Sequence, residues 1–402
     1  MTTMTLNPVS ARLNALSESE TLAMTKKARE LAAQGHNVIS LSVGEPDFQT
    51  PQHIKDAAKK AIDDGFTFYT PVPGYPDLRA AIAEKLKRDN NIEWASENIV
   101  VSTGAKQSIA NVLLSIIDPG DEVIIFAPYW VSYIEMVKLA EGTPVIISAG
   151  IEKDFKVTAQ DLEKAITPKT KAILFSSPCN PTGAVFSKKE LSAIGDVVAK
   201  NERIIVIADE IYEYINFEGS HFSIGSMPSI KERVVTVNGF SKGYAMTGWR
   251  VGYIGAAKWL AAACDKIQGQ VTSGTCSIAQ KAALAGIKGD LTAAKEMSKA
   301  YLRRRDLVLG LAKDIPGIKT NVPQGAFYVF PDVSSYLGKS FNGKAIEKAS
   351  DLAMFILNEG HVATVGSDAF SAPNCLRISF AASDENLVEA MRRIKECLAK
   401  LK

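Results

Sequence analysis

The sequence predicts an α/β protein: a mostly parallel sheet covered by helices on both faces, joined to a smaller α+β unit. From about residue 100 onward, short β-branched runs alternate with helical patterns. These runs are continuously apolar, the pattern of strands buried on both faces and linked by helical crossovers. A further observation marks the smaller unit. After a long charged helix around 291–314, the segments GAFYVFPDV and CLRISFA read as strands outside that alternation.

In chain order, residues 15–35 open with polar cap candidates and continue in a helical pattern. NVISLSVGEPD reads as a short strand running into a polar turn. A helix is expected over 51–64, opened by Pro51, whose missing N–H costs nothing in a first turn. FTFYTPVPGYPD, rich in proline and aromatics, reads as an ordered loop. The alternation then runs through IVVST and a helix over 105–117, VIIFA and a helix in YWVSYIEMVKLAEG, and TPVIISA with a helix near 159–166. KAILFSSP with a helix over 187–200 follows, then RIIVIADE, RVVTVNGF and WRVGYIG. The run RRR at 303–305 reads as a solvated helix face. A large domain is therefore expected over 45–290, with 1–44 and 291–402 together forming the smaller one.

A chain of 402 residues suits two or three packed units. Its 46 basic and 44 acidic side chains nearly balance, which gives no electrostatic case for nucleic acid or an anionic membrane surface. No run approaches the ~18 apolar residues of a membrane span, and the first twenty residues lack the apolar stretch of a secretory signal. Five cysteines fit no disulfide or metal spacing and four histidines lie far apart, so no metal site is expected. A reducing cytoplasm is the default compartment.

Ligands of such sheets gather beyond the carboxyl ends of the strands. Reading only those ends gives Thr103-Gly104-Ala105-Lys106, Ser177-Pro178-Cys179-Asn180-Pro181, Asp209-Glu210-Ile211-Tyr212 and, after VVTV, NGFSKGYAMTGWR. The turn STGAKQ entering a helix offers free N–H groups to a phosphate, although a tight turn with a solvent lysine would read the same way. Ser241, Lys242 and Arg250 add a hydroxyl and positive charge. No GxGxxG or GxxxxGK[ST] pattern occurs, which argues against a Rossmann fingerprint or a P-loop. Asp209 ends an apolar strand, where a carboxylate is expensive unless paired. It is either a cap or ion-pair partner, or a carboxylate facing a cationic ring nitrogen. Tyr212 lies one helical turn on, and Asn180 sits at a neighbouring strand end. A phosphate, a ring nitrogen that needs Asp, and a lysine able to form an imine together describe pyridoxal 5′-phosphate.

These motifs, with SVGEPDF, YTPVPGYPDLR, DPGDEVIIFAPYWVSY, SPCNPTG and CLRISFA, occur in order across essentially the whole chain. The sequence resembles the fold-type I, class I aminotransferases, most closely the bacterial and archaeal aspartate aminotransferase subgroup Ib. That resemblance implies a seven-stranded sheet in the large domain and a homodimer with shared active sites. Lys242 would be the Schiff-base and proton-transfer lysine, and Asp209 would hold the pyridine nitrogen protonated. Tyr212 and Asn180 would bond the phenolic oxygen, and Trp130 would stack on the ring. Gly104, Ala105, Lys106, Ser241 and Arg250 would hold the phosphate, joined by Tyr69 from the partner subunit. Arg377 would grip the substrate α-carboxylate, assisted by Asn180, with Gly44 helping to close the smaller domain. Taken alone, Arg377 reads as a surface-strand arginine and Trp130 equally as core packing; Cys179 reads as a small buried side chain rather than a nucleophile.

The implied reaction moves an amino group from L-aspartate to 2-oxoglutarate in two half-reactions. Lys106 would anchor the distal carboxylate, with a contribution from the segment at 272–280. Aromatic, alanine, kynurenine and prephenate or arogenate specificity are the alternatives. Subgroup members that accept prephenate often carry a KPSAT-like segment; here it reads SESET, with Ser17, Glu18 and Glu20 at the variant positions. Two added carboxylates near an anionic substrate would hinder it.

Overall fold

The computed structural model describes residues 9–18 and 20–402. Its centre is a seven-stranded sheet formed by β1 (Ile99–Ser102), β2 (Glu122–Ala127), β3 (Thr143–Ser148), β4 (Thr170–Ser176), β5 (Ile205–Asp209), β6 (Val234–Gly239) and β7 (Gly252–Gly255). The order across the sheet is β1-β7-β6-β5-β4-β2-β3. Only β7 runs against its neighbours, and every other pairing is parallel.

Alternation along each strand explains the continuously apolar runs. Val123 and Ile125 pack into a core with helices α5 (Ala105–Ile116), α6 (Ser132–Leu139) and α9 (Lys258–Val271). Ile124 and Phe126 face the opposite way, into a core with α7 (Ala159–Ala165) and α8 (Lys188–Ala199). Both faces are thus buried, as a sheet with parallel crossovers requires. Thr158 and Ser187 form capping boxes with Asp161 and Glu190, which fixes the starts of α7 and α8 close to the expected positions. At the β1–β7 side, α3 (Gln52–Asp63), α4 (Pro76–Asn90) and α10 (Ser277–Lys288) close a third core. Pro51 stands at the N-cap of α3.

A fourth core gathers Met24, Ala28, Ile39 and Leu41 with side chains from α11 (Thr292–Lys313), α12 (Ala349–Gly360) and α13 (Asp384–Leu398). It includes the antiparallel strands β8 (Tyr328–Val329), β9 (Val365–Gly366) and β10 (Leu376–Ser379), in the order β9-β10-β8. Both late strand expectations are therefore met, although GAFYVFPDV keeps only two strand residues.

Two expectations need correction. The helix expected over 15–35 is split into α1 (Ala11–Asn14) and α2 (Glu20–Ala33). Ser10 caps the first piece, and the Ser17 N–H then donates to Glu135 Oε2 at 2.9 Å, tying the break to α6. In the RRR run, Arg304 is buried rather than solvated. It pairs with Asp47 at 2.8 Å and lies over the rings of Phe48 and Tyr301, so α11 is pinned to the SVGEPDF loop. Among the described residues, no helix is long and apolar enough to cross a membrane.

Candidate active site

Beyond the carboxyl ends of β4, β5 and β6 lies a cavity of about 420 Å³. Its walls bring together residues from seven separate stretches: Gly44, Ala105 and Lys106, Trp130, Asn180, Asp209 and Tyr212, Ser241, Lys242 and Arg250, and Arg377 from β10. The amino-acid sequence alone pointed to all of these.

The turn from β1 into α5 is built around Gly104, whose φ of 86° suits glycine. A Cβ on Gly104 would overlap the Arg250 guanidinium, so that cation sits directly against the turn. Gly252 is needed for a similar reason, because a Cβ there would strike the backbone of Ala105. The missing side chain lets β7 lie against the start of α5, whose first N–H groups have no partner within the helix. Arg250 donates to the Thr247 carbonyl at 2.8 Å, which aims its guanidinium. Helix N-terminus, Ser241 hydroxyl and Arg250 charge form an anion cradle. Lys106 stands beside it with Nζ 4.9 Å from the Trp130 ring centroid; burial, then the Arg250 charge, pushes its pKa down.

Asp209 is 4% exposed. Its Oδ2 accepts from the Tyr133 hydroxyl at 2.6 Å and its Oδ1 from the Ile211 N–H at 3.2 Å. Burial raises its pKa to about 6, and the two donors hold it from rising further. Lys242 Nζ donates to the Gly44 carbonyl and lies 5.7 Å from the Tyr212 ring centroid. Burial lowers its pKa to about 8, against the opposing pull of Glu45. The ion-pair reading for Asp209 fails on this geometry, because no cation among the described residues contacts it; the cap-like bond from the Ile211 N–H is present and leaves Oδ2 to the Tyr133 hydroxyl.

Arg377 is 1% exposed, which rules out the surface reading. It donates to Asn180 Oδ1 at 2.9 Å and to the Ser42 carbonyl at 2.6 Å, while its Nε has no partner among the described residues. The rings of Tyr328 and Phe370 lie 4.8 Å and 5.3 Å from its guanidinium carbon. Trp130 is half-buried at the cavity wall rather than in the core, and Cys179 is a buried thiol near the Pro128 carbonyl.

Other side chains of the site lie within quoted segments but were given no role from the sequence. Tyr328 sends its hydroxyl to that of Tyr212 at 2.8 Å, and a Cβ on Gly44 would come within 2.6 Å of the same oxygen. Tyr133 and Glu45 also line the cavity. The phenols gave no sequence signal because long-range packing, not local spacing, brings them there. Tyr69 is 98% exposed and away from the cavity of its own chain, as is the 272–280 segment beside it. Glu18 and Glu20 line a different cleft with Lys27 and Ser350, whereas Thr21 and Leu22 face the cavity. The expected crowding of carboxylates around an anionic substrate is therefore absent. Glu20, at the start of α2, and Glu18, before it, both point into that other cleft.

Glu210, Glu213 and His221 cluster on the other side of β5 with ligand-type atoms within 4.8 Å. Lys85 pairs with Glu213, and the Asn90 amide donates to both carboxylates at 3.2 Å and 2.9 Å. The cluster thus carries its own internal cation and amide donor.

The family described as aminotransferase class I and II matches residues 36–394. The bifunctional aspartate aminotransferase and glutamate/aspartate-prephenate aminotransferase of Petunia hybrida is 45% identical over 98% of this chain and 83% of its own. The aspartate/prephenate aminotransferase of Nitrosomonas europaea is 45% identical over 97% of this chain and all of its own. Among solved structures, the aspartate aminotransferase of Rhizobium meliloti superposes with a TM-score of 0.94 at 40% identity, covering 98% of this chain and 99% of the other. The Thermus thermophilus aspartate aminotransferase with maleate gives 0.91 at 39% identity, covering 97% and 99%. Sequence, fold and cavity agree: this chain belongs to the class I and II aminotransferases.

Proposed function

We propose that the protein is a pyridoxal 5′-phosphate-dependent aspartate aminotransferase that transfers the amino group of L-aspartate to 2-oxoglutarate, giving oxaloacetate and L-glutamate. The observation that carries this reading is the convergence of Lys242, Asp209 and Arg377 on one cavity. The residues fit the cofactor. The space that Gly104 leaves for Arg250 makes the anion cradle, and Asp209 is an acceptor-only carboxylate buried among donors. Lys242 supplies an amine whose lowered pKa leaves an appreciable neutral fraction near pH 7.

Ala105, Lys106, Ser241 and Arg250 would hold the phosphate, Asn180 and Tyr212 the ring oxygen, and Trp130 the ring face. When bound, the cofactor supplies an aldehyde carbon and a protonated ring that accepts electrons from the substrate α-carbon. Arg377 binds the substrate α-carboxylate, its guanidinium held flat by Asn180, Ser42 and the flanking rings. Its unpartnered Nε leaves a donor for that carboxylate. Lys242 Nζ takes the α-proton and returns it as a general acid, a role suited to a pKa of about 8. Lys106 offers its ammonium to the distal carboxylate, in keeping with the aspartate aminotransferase names among the relatives.

The exposed Phe68, Tyr69 and Val271 support a homodimer in which a second copy brings Tyr69 to the cradle. The core shared by residues 24–41 with 297–401 supports the division into 1–44, 45–290 and 291–402. Prephenate is a second reading, favoured by the names of the curated relatives. At position 17 a serine replaces the subgroup's lysine, which removes a cation from that approach. The test is borohydride reduction of the cofactor-loaded protein, tryptic digestion and mass spectrometry. Label confined to the peptide spanning 234–250 supports the role of Lys242, and label elsewhere overturns it. Initial rates with aspartate, prephenate and aromatic acceptors then rank the substrates.

A further inference from the structure

We propose that Tyr133 is a positioning residue for Asp209, its buried hydroxyl holding that carboxylate as the anion and aiming it at the cofactor ring. The inference rests on the cofactor reading above. Tyr133 is fully buried at the start of α6, and its ring meets Trp130 edge-on at 5.6 Å and 87°. The hydroxyl therefore has little freedom, and it lies 2.6 Å from Asp209 Oδ2. The other oxygen accepts from the Ile211 N–H. Both oxygens thus meet donors, the arrangement that suits a carboxylate rather than a carboxylic acid.

The charged and titratable groups around Asp209 leave Tyr133 as the side chain that holds it ionised. Just after β5, Glu210 opposes ionisation, but its carboxylate is held by Asn90, Ser223 and His221 instead. From the β6 loop, Lys242 favours ionisation without touching Asp209. Cys179 from the β4 loop and Tyr212 are both kept neutral by burial. Desolvation is the largest influence and drives Asp209 towards the neutral acid. The Tyr133 hydrogen bond is the largest influence opposing it.

The test is a titration of the full-length protein without added cofactor, labelled with [13Cγ]aspartate and assigned with Asp209→Asn. The wild-type Asp209 resonance should titrate near about 6. In Tyr133→Phe, which keeps the ring and its packing, the midpoint should rise by about one to two pH units. In Tyr133→His, which keeps a donor, it should stay near wild type. Pyridoxal phosphate should bind Tyr133→Phe about two- to tenfold more weakly near pH 7 and recover as the pH passes the new midpoint. An unmoved midpoint in Tyr133→Phe overturns the proposal. Should that variant not fold, a raised midpoint in Tyr133→His overturns it instead. A shifted midpoint with no cofactor on Lys242 would leave the Tyr133–Asp209 pairing standing and remove the cofactor reading.

Discussion

Replacing Lys242 by methionine removes a cation that the fold holds at a disadvantage. Its pKa falls from the ordinary 10.5 to about 8, with burial as the leading cause. At about 1.4 kcal/mol per pH unit, keeping the ammonium charged below pH 8 costs about 3 kcal/mol, trimmed to about 2–3 because the cavity leaves the side chain partly accessible. Methionine also loses the hydrogen bond to the Gly44 carbonyl, a loss of about 1 kcal/mol. Near pH 7 the cofactor-free Lys242→Met protein should therefore be about 1–2 kcal/mol more stable than wild type. The sign then changes with pH. Between about 8 and 10.5 the unfolded chain binds the proton that the folded chain has released, so wild-type stability rises relative to the variant across this window. Above it only the lost hydrogen bond remains, and wild type leads by about 1 kcal/mol. Urea denaturation of both proteins at equal concentration, repeated from near pH 7 to near pH 10, measures the difference. A variant less stable than wild type at pH 7, with a gap that does not change with pH, would refute the reasoning.

Further consequences follow from the same geometry. Gly104→Ala pushes a methyl group into the Arg250 guanidinium and strains a positive φ, so pyridoxal phosphate affinity measured by equilibrium dialysis should fall at least about tenfold. Arg377→Lys exchanges a flat, doubly anchored guanidinium for a point charge; kcat/KM for dicarboxylic substrates should fall about a hundredfold or more while cofactor binding holds. Gly44→Ala should disturb the Tyr212–Tyr328 pair and lower kcat about tenfold, read in steady-state assays alongside an unchanged oligomeric state. If a second copy supplies Tyr69, mixing inactive Tyr69→Ala and Lys242→Ala proteins should restore up to about a quarter of wild-type activity through hybrid dimers; no recovery in verified hybrids would exclude the shared site.

Much of the sheet was legible because each strand is short, apolar on both faces and bounded by a helix with its own cap, as at Thr158 and Ser187. Asp209 and Lys242 were legible for a related reason: a charge at the end of an apolar strand is costly, so its presence there points to a function. Tyr133 and Tyr328 gave no such signal. A tyrosine inside an apolar stretch reads as core, and only the packing of α6 on β5, or of β8 on the Tyr212 turn, brings its hydroxyl to a partner. Arg304 misled in the opposite direction, since it sits in a charged run whose first member, Arg303, is exposed, and its partner Asp47 lies 257 residues away. The break before Glu20 has the same origin, because Ser17 is drawn off the helix by Glu135.

The central claim is that Lys242, Asp209 and Arg377 act together on a bound amino acid, and the visible spectrum of the pyridoxal phosphate-loaded protein tests it most directly. Adding L-aspartate alone should abolish the absorbance band of the lysine-bound aldehyde and give that of pyridoxamine phosphate, and 2-oxoglutarate should then restore the first band. A folded protein that shows no lysine-bound band in excess cofactor, or one whose band responds to no amino acid, would contradict the account.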